Sequence, residues 1–207
     1  KEFLAELKKL GKPVVLVLMN GRPLTLSWEN DNMDAILEAW YPGTMGGDAI
    51  AQTLYGVNNP SGKLPMTFPR SVGQVPIYYN HKNTGRPYLG PQDPEQKYKS
   101  RYTDSDNSPL YPFGYGLSYT KFEYGNLKLS TQKLATTGKL TVSVDVKNNG
   151  AVDGEEVVQL YVRDLVGSVT RPVRELKGFN KLLIKKGETK TVTFEITPDD
   201  LRFYNID

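Results

Sequence analysis

The sequence predicts two kinds of fold in one chain, an α/β part followed by an all-β antiparallel sandwich. Residues 1–55 mix helix-like apolar stripes with short unbroken apolar runs, whereas from about residue 125 apolar and polar residues alternate in bursts separated by turns. Between these parts lies a broken connecting region, since nine of the 14 prolines fall between Pro60 and Pro112 and nine of the 13 tyrosines between Tyr78 and Tyr124. The predicted boundaries are a partial α/β domain over 1–70, a Pro/Tyr-rich linker and loop region over 71–124, and the β-sandwich over 125–207.

Phe3, Leu4, Leu7 and Leu10 form the stripe of an amphipathic helix, and Gly11 follows as its C-terminal stop. The β-branched run Val14-Val15-Leu16-Val17-Leu18-Met19 predicts a strand buried on both faces, hence a parallel sheet covered by helices. After a crossover from Arg22 to Asp34, Ala35 to Trp40 predicts a second strand and Asp48 to Tyr55 a helix with Ile50, Ala51 and Leu54 on one face. Lys63 to Phe68 is a further strand candidate. Sheets usually have about 4–6 strands. So small a sheet implies either a homodimer formed through the sheet edge or a larger α/β domain whose first half lies upstream.

The connecting region is too rich in proline for a long helix or central strand and predicts a long loop packed on a rigid surface. Its tyrosines suit packing at a domain boundary, with wet hydroxyls, or stacking on a carbohydrate. In the last part, Leu140, Val142, Val144 and Val146 alternate with polar residues up to the Asn149-Gly150 turn. Val158, Leu160 and Val162, then Leu182 to Ile184, then Val192, Phe194 and Ile196 follow. Short alternating strands of this spacing predict a sandwich of the immunoglobulin or fibronectin type III kind.

Composition narrows the chemistry. The 207 residues carry 26 Lys+Arg against 23 Asp+Glu, no cysteine and one histidine. Disulfides, thiol nucleophiles, Cys-based metal sites and multi-histidine metal sites are therefore excluded within this sequence, and no cofactor or metal is expected. Basic and acidic residues are spread evenly, 13 and 12 over 1–124 and 13 and 11 over 125–207, without the basic stripe that nucleic acid requires. The longest apolar run is far too short for membrane insertion. The start Lys1-Glu2-Phe3, with neither Met nor a signal-peptide pattern, reads as a cut end.

Ligands on open α/β sheets bind outside the carboxyl ends of the strands, which here run into Asn20-Gly21-Arg22-Pro23 and Trp40-Tyr41-Pro42-Gly43-Thr44. The second loop leads into Gly46-Gly47-Asp48 at a helix start but matches no phosphate-binding fingerprint. In the connecting region His81 has no acidic neighbour in sequence. Arg86, Tyr88, Arg101 and Tyr102, with Asp104, could offer donors and aromatic faces to sugar hydroxyls, or form a solvated loop of paired charges. The substrate-binding candidates are thus His81, Arg86, Tyr88, Arg101 and Tyr102. Glu29, Asp31, Asp34 and Asp48 have no spacing that marks an acid/base pair.

Several motifs together resemble glycoside hydrolase family 3: Gly11-Lys12-Pro13-Val14-Val15, Asn20-Gly21-Arg22-Pro23, Ala39-Trp40-Tyr41-Pro42-Gly43, Gly46-Gly47-Asp48-Ala49-Ile50-Ala51, Asn59-Pro60-Ser61-Gly62-Lys63-Leu64-Pro65 and Tyr111-Pro112-Phe113-Gly114-Tyr115-Gly116-Leu117-Ser118-Tyr119. Ser71-Val72-Gly73-Gln74 and Asn83-Thr84-Gly85-Arg86-Pro87-Tyr88 resemble the bacterial periplasmic β-glucosidase branch. The resemblance implies an N-terminal barrel, an α/β sandwich domain and a fibronectin type III-like domain. This sequence would cover the C-terminal half of the second and the third, with the missing barrel and first half as its structural partners. It further implies a retaining enzyme acting on β-glucosides or oligosaccharides, periplasmic or secreted, with a barrel Asp as nucleophile and a sandwich-domain Glu as acid/base. No Asp here is followed by Trp or Tyr as the nucleophile motif requires, and Glu2 and Glu6 match no catalytic motif. No catalytic residue is expected in this sequence, and the polypeptide alone is expected to be inactive.

Overall fold

The computed structural model describes residues 1–88 and 98–206, and the chain divides into two compact units. One comprises Lys1–Asn58, Leu64–Tyr78 and Gly85–Tyr115; the other comprises Asn59–Lys63, Tyr79–Thr84 and Gly116–Asp207.

The first unit is α/β. Helix α1 (Glu2–Lys8) has Glu2 in its first turn and Lys8 in its last, the arrangement the helix dipole favours, and Gly11 at φ 65° turns the chain out of it. Strand β1 (Val15–Leu18) pairs in parallel with β2 (Ala35–Glu38), from Val15 opposite Ala35 to Leu18 opposite Glu38. The crossover contains a short helix, α2 (Ser27–Asn32), whose sequence Ser-Trp-Glu-Asn-Asp-Asn has no apolar period to announce it. Helix α3 (Gly46–Leu54) follows β2.

Three expectations need correction here. Strand β1 is not sealed on both faces, since Val15 is half exposed and the sheet has two strands among the described residues. Strand β2 stops at Glu38 rather than Trp40, because Trp40 turns to φ 50°. The segment Lys63 to Phe68 is not a strand of this sheet. Instead Leu64 and Phe68 donate their amides to the carbonyls of Tyr115 and Tyr111, and Pro65, Pro69 and Pro112 leave too few donors for a continuous ladder. Phe68, almost fully buried, anchors this unit: its ring lies 5.9 Å from that of Trp40 and 6.1 Å from that of Tyr111, which stacks on Tyr115 at 5.5 Å.

The second unit is an antiparallel sandwich. One sheet has the order β3-β4-β7, with β3 (Phe122–Leu129), β4 (Leu140–Asn148) and β7 (Thr189–Ile196); the other pairs β5 (Gly154–Val162) with β6 (Glu175–Ile184). Val146, Val158, Ile184 and Val192 form the core, flanked by Phe122, Val144, Leu182 and Phe194. Strand β3 escapes sequence reading because a bulge between Gly125 and Lys128, with Asn126 at φ 51°, shifts its alternation from Phe122 and Tyr124 to Leu127 and Leu129.

Asn148 is completely buried at the end of β4. Its Oδ1 accepts from Thr120 Oγ1 (2.6 Å) and Gly150 N (3.0 Å), and its Nδ2 donates to the carbonyls of Val152 and Ile184, both at 2.9 Å. All four valences of the amide are filled, so the burial carries no desolvation debt. Gly150 is required there, because a Cβ would lie 2.0 Å from Thr120 Oγ1.

The five-residue segment Asn59–Lys63 belongs to this unit despite its place in sequence. Asn59 donates to the carbonyl of Asp153 and accepts from Ser118 Oγ and the amide of Tyr119. Lys63 Nζ reaches Glu156 Oε2 and the Gly116 carbonyl, each at 3.2 Å, while the Tyr124 hydroxyl donates to Glu156 Oε1 at 2.8 Å. Burial, then the bond to Glu156, holds the Tyr124 hydroxyl in its protonated form well above the usual phenol range. Gly116 is tied to its place as well, since a Cβ would meet the Gly62 carbonyl oxygen at 2.2 Å.

Candidate functional site

Four of the five sequence candidates come together in the α/β unit. The Arg86 carbonyl accepts the Ser100 amide at 2.8 Å, and Pro87 forms a parallel bridge with Ser100. These contacts join the chain on the two sides of residues 89–97, which lie outside the described residues. There the Arg101 guanidinium sits 5.7 Å from the centroid of the Tyr88 ring, a cation–π contact. Tyr88 is buried, Arg86 is exposed, and Tyr102 is partly exposed.

Asn107 organises the cluster, and sequence reading overlooked it. Its Nδ2 donates to the carbonyls of Tyr88 (3.3 Å) and Ser100 (3.0 Å), and its Oδ1 accepts the Tyr102 amide at 3.0 Å. Asn107 is in turn fixed by buried Gln74, whose Nε2 donates to the Asp106 carbonyl at 2.8 Å and whose Oε1 accepts the Arg70 amide at 2.6 Å. Arg70 Nε completes the clamp on the Ser108 carbonyl at 3.0 Å. The signal in sequence was only the conjunction of a short polar run, Ser105-Asp106-Asn107-Ser108, with a distant Arg-Ser-Val-Gly-Gln. The outcome is a set of guanidinium groups and tyrosine rings on a backbone held by side-chain amides, an arrangement able to offer hydrogen-bond donors to hydroxyl groups.

His81 belongs to the sandwich unit. Its carbonyl accepts the Val173 amide at 2.9 Å and its neighbour Lys82 forms an antiparallel bridge with Pro172, so the segment is a docked strap. The imidazole is exposed, with Nδ1 3.2 Å from the Lys82 carbonyl. Tyr79 on the same strap packs edge-on against Tyr161 at 6.0 Å and accepts the Leu176 amide at its hydroxyl.

Three of the four carboxylates singled out in the α/β unit, Asp31, Asp34 and Asp48, have structural occupations. Asp34 accepts from Lys8 Nζ and the Val14 amide, both at 2.8 Å, and the Lys8 hydrogen bond foremost holds its carboxyl below the usual range. Asp31 accepts from Asn30, and Asp48 lies in the first turn of α3, where its charge complements the dipole. Glu29 is buried, with an Oε2 that has no hydrogen-bond partner among the described residues.

Comparison with known proteins agrees with this architecture. The glycosyl hydrolase family 3 C-terminal domain matches residues 1–119, and a fibronectin type III-like domain matches residues 156–207. The chain is 55% identical to the periplasmic beta-glucosidase of Salmonella typhimurium over 99% of its own length and 26% of that protein. It is 48% identical to a beta-xylosidase of Formosa agariphila, covering all of this chain and 27% of that one. The crystal structure of a beta-glucosidase from Listeria innocua in complex with isofagomine superimposes with a TM-score of 0.92 at 47% identity, over 99% of this chain and 28% of that one. The chain therefore spans about a quarter of the length of the relatives it matches. With an α/β unit and a fibronectin type III-like sandwich in this order, the chain belongs to glycosyl hydrolase family 3, whose C-terminal domain it carries.

Proposed function

We propose that the chain is the C-terminal part of a retaining β-glucosidase that removes terminal β-D-glucosyl residues from oligosaccharides or glucosides, and that it acts in the periplasm or outside the cell. The observation that carries this reading is the identity of 55% to a periplasmic beta-glucosidase along nearly the whole chain. Retention requires two carboxyl groups about 5–5.5 Å apart, one as nucleophile and one as acid then base. Asp34 is committed to Lys8 and Val14, and Glu38 to Asn20 and Trp40, so these two anchor loops rather than react. The working pair is assigned to the rest of the enzyme, with the barrel and the first half of the α/β sandwich as partners of this chain. Its own contribution is the loop cluster, in which Arg86 and Tyr102 contact the sugar or its aglycone while Tyr88, Arg101 and Asn107 hold them in place. His81 is a further candidate contact.

The purified 207-residue chain is expected to show no turnover of aryl β-glucosides or aryl β-xylosides. Turnover that survives a control for contaminating enzyme overturns the proposal. In the longer enzyme Arg86→Ala is expected to raise KM for a disaccharide about tenfold with a smaller effect on kcat, the pattern of a lost binding contact. An NMR time course whose first product is the α-anomer of glucose overturns retention.

A further inference from the structure

The carboxyl ends of β1 and β2 are locked into one surface by a single side chain. Glu38 Oε2 accepts from Asn20 Nδ2 at 3.2 Å, and Glu38 Oε1 accepts the Trp40 amide at 3.0 Å. Asn20 Oδ1 accepts the Arg22 amide at 3.3 Å, which fixes the first loop from within. Trp40 is held at φ 50°, a backbone conformation that a bulky L-residue adopts only when its surroundings impose it. Glu38 on its amide and the Phe68 ring against its indole supply that constraint.

The strained turn places Tyr41 over Gly21. A Cβ at Gly21 would lie 2.6 Å from Tyr41 Cε2 and 2.8 Å from its hydroxyl, so the ring rests on bare backbone that only glycine provides. Yet Tyr41 is 81% exposed. An aromatic ring that is positioned by strain, seated on a glycine and exposed on this chain is not packing the core of the α/β unit. Beside it, Arg22 is exposed and makes no ion pair among the described residues. The place is also where open parallel sheets take ligands.

We propose that the Asn20–Arg22 and Trp40–Tyr41 loops form a saccharide subsite, with the Tyr41 ring as the platform for an apolar sugar face and Arg22 as the donor to its hydroxyls. The ligand class, a neutral β-linked glycan, rests on the glycosidase reading above; the platform itself does not.

Titrating the 207-residue chain with cellobiose, and separately with xylobiose, while following backbone amide NMR signals tests the subsite. Saturable shifts at Gly21, Arg22 and Tyr41 are expected. Tyr41→Ala should weaken binding about tenfold, Tyr41→Phe should retain it, and Tyr55→Ala, which removes an equally exposed tyrosine beyond α3, should leave it unchanged. Gly21→Ala displaces the ring without deleting it and should also weaken binding. Signals that do not respond at these residues, or equal affinity in Tyr41→Ala, overturn the subsite. Binding at Tyr41 alongside a longer enzyme that hydrolyses no glycoside would leave the subsite standing and remove the glycosidase reading; hydrolysis by the longer enzyme without binding at Tyr41 would do the reverse.

Discussion

The sandwich unit buries Val146, Val158, Ile184 and Val192 in one cluster closed between two sheets, whereas the α/β unit leaves Phe3, Leu10, Val15 and Met19 exposed around a two-stranded parallel sheet. Parallel strands gain their stability from being covered on both faces, and two strands provide little surface to cover. The α/β unit compensates with polar tethers: Asp34 between α1 and the start of β1, Glu38 between the strand-end loops, and Gln74 on the 106–108 segment. The sandwich uses its most buried polar side chain differently: Asn148 is fully satisfied inside the packing. Substitutions in the sandwich should therefore cost most and depend little on pH, while the α/β unit should yield to small electrostatic changes.

The largest effect is expected at Asn148. Leucine there keeps the volume but strands the Thr120 hydroxyl, the Gly150 amide and the carbonyls of Val152 and Ile184 in a buried site. A loss of about 4 kcal/mol is expected for Asn148→Leu, read as a fall in the urea midpoint of the sandwich transition. A change under about 1 kcal/mol would mean that the buried amide is replaceable by packing and that the two units do not differ in this respect.

Next is Lys63→Met, which removes the cation from a Glu156 that is 6% exposed. The Tyr124 hydroxyl cannot neutralise the carboxylate, so about 3 kcal/mol should be lost. Hydrogen exchange should show the loss throughout β3 to β7 and not in α1 to α3, because Asn59–Lys63 folds with the sandwich. Faster exchange confined to the α/β unit would sink that assignment.

What could be read from sequence follows the range of the interactions involved. Strands β4, β5 and β7 are local alternations and were legible, β6 only at its Leu182–Ile184 end, as was the helix before Gly11. Strand β3 was hidden by one inserted residue at its bulge, and α2 by the lack of any apolar period. The site was legible only as residue types. That Tyr88 and Arg101 meet depends on the Ser100–Arg86 hydrogen bond, and that Tyr102 is held depends on Asn107, neither of which leaves a periodic trace. Lys63 and Glu156 stand 93 residues apart, and Asn148 read merely as the residue before an Asn-Gly turn.

The smallest effect is electrostatic and falls in the α/β unit. The Lys8 hydrogen bond, then the Val14 amide, lowers the Asp34 carboxyl below its unfolded value. Such a group adds stability that is fully present above the unfolded carboxylate pKa of about 3.9 and disappears as pH falls through the lower folded value. Asp34 is solvent-accessible and screened by salt, so Asp34→Asn should shift the midpoint of the α/β transition slightly at pH 7 and progressively less as pH falls below the unfolded carboxylate value. Asp145 offers the matching test in the sandwich, where Thr191 and then Asn126 hold its carboxyl low. Its hydrogen-bond partners are neutral and the charge of Lys128 is the least of the causes that lower it, so added salt should weaken the Asp145→Asn effect less than that of Asp34→Asn. Equal salt sensitivity at the two sites would erase the electrostatic half of the contrast between the units and leave only the difference in their cores.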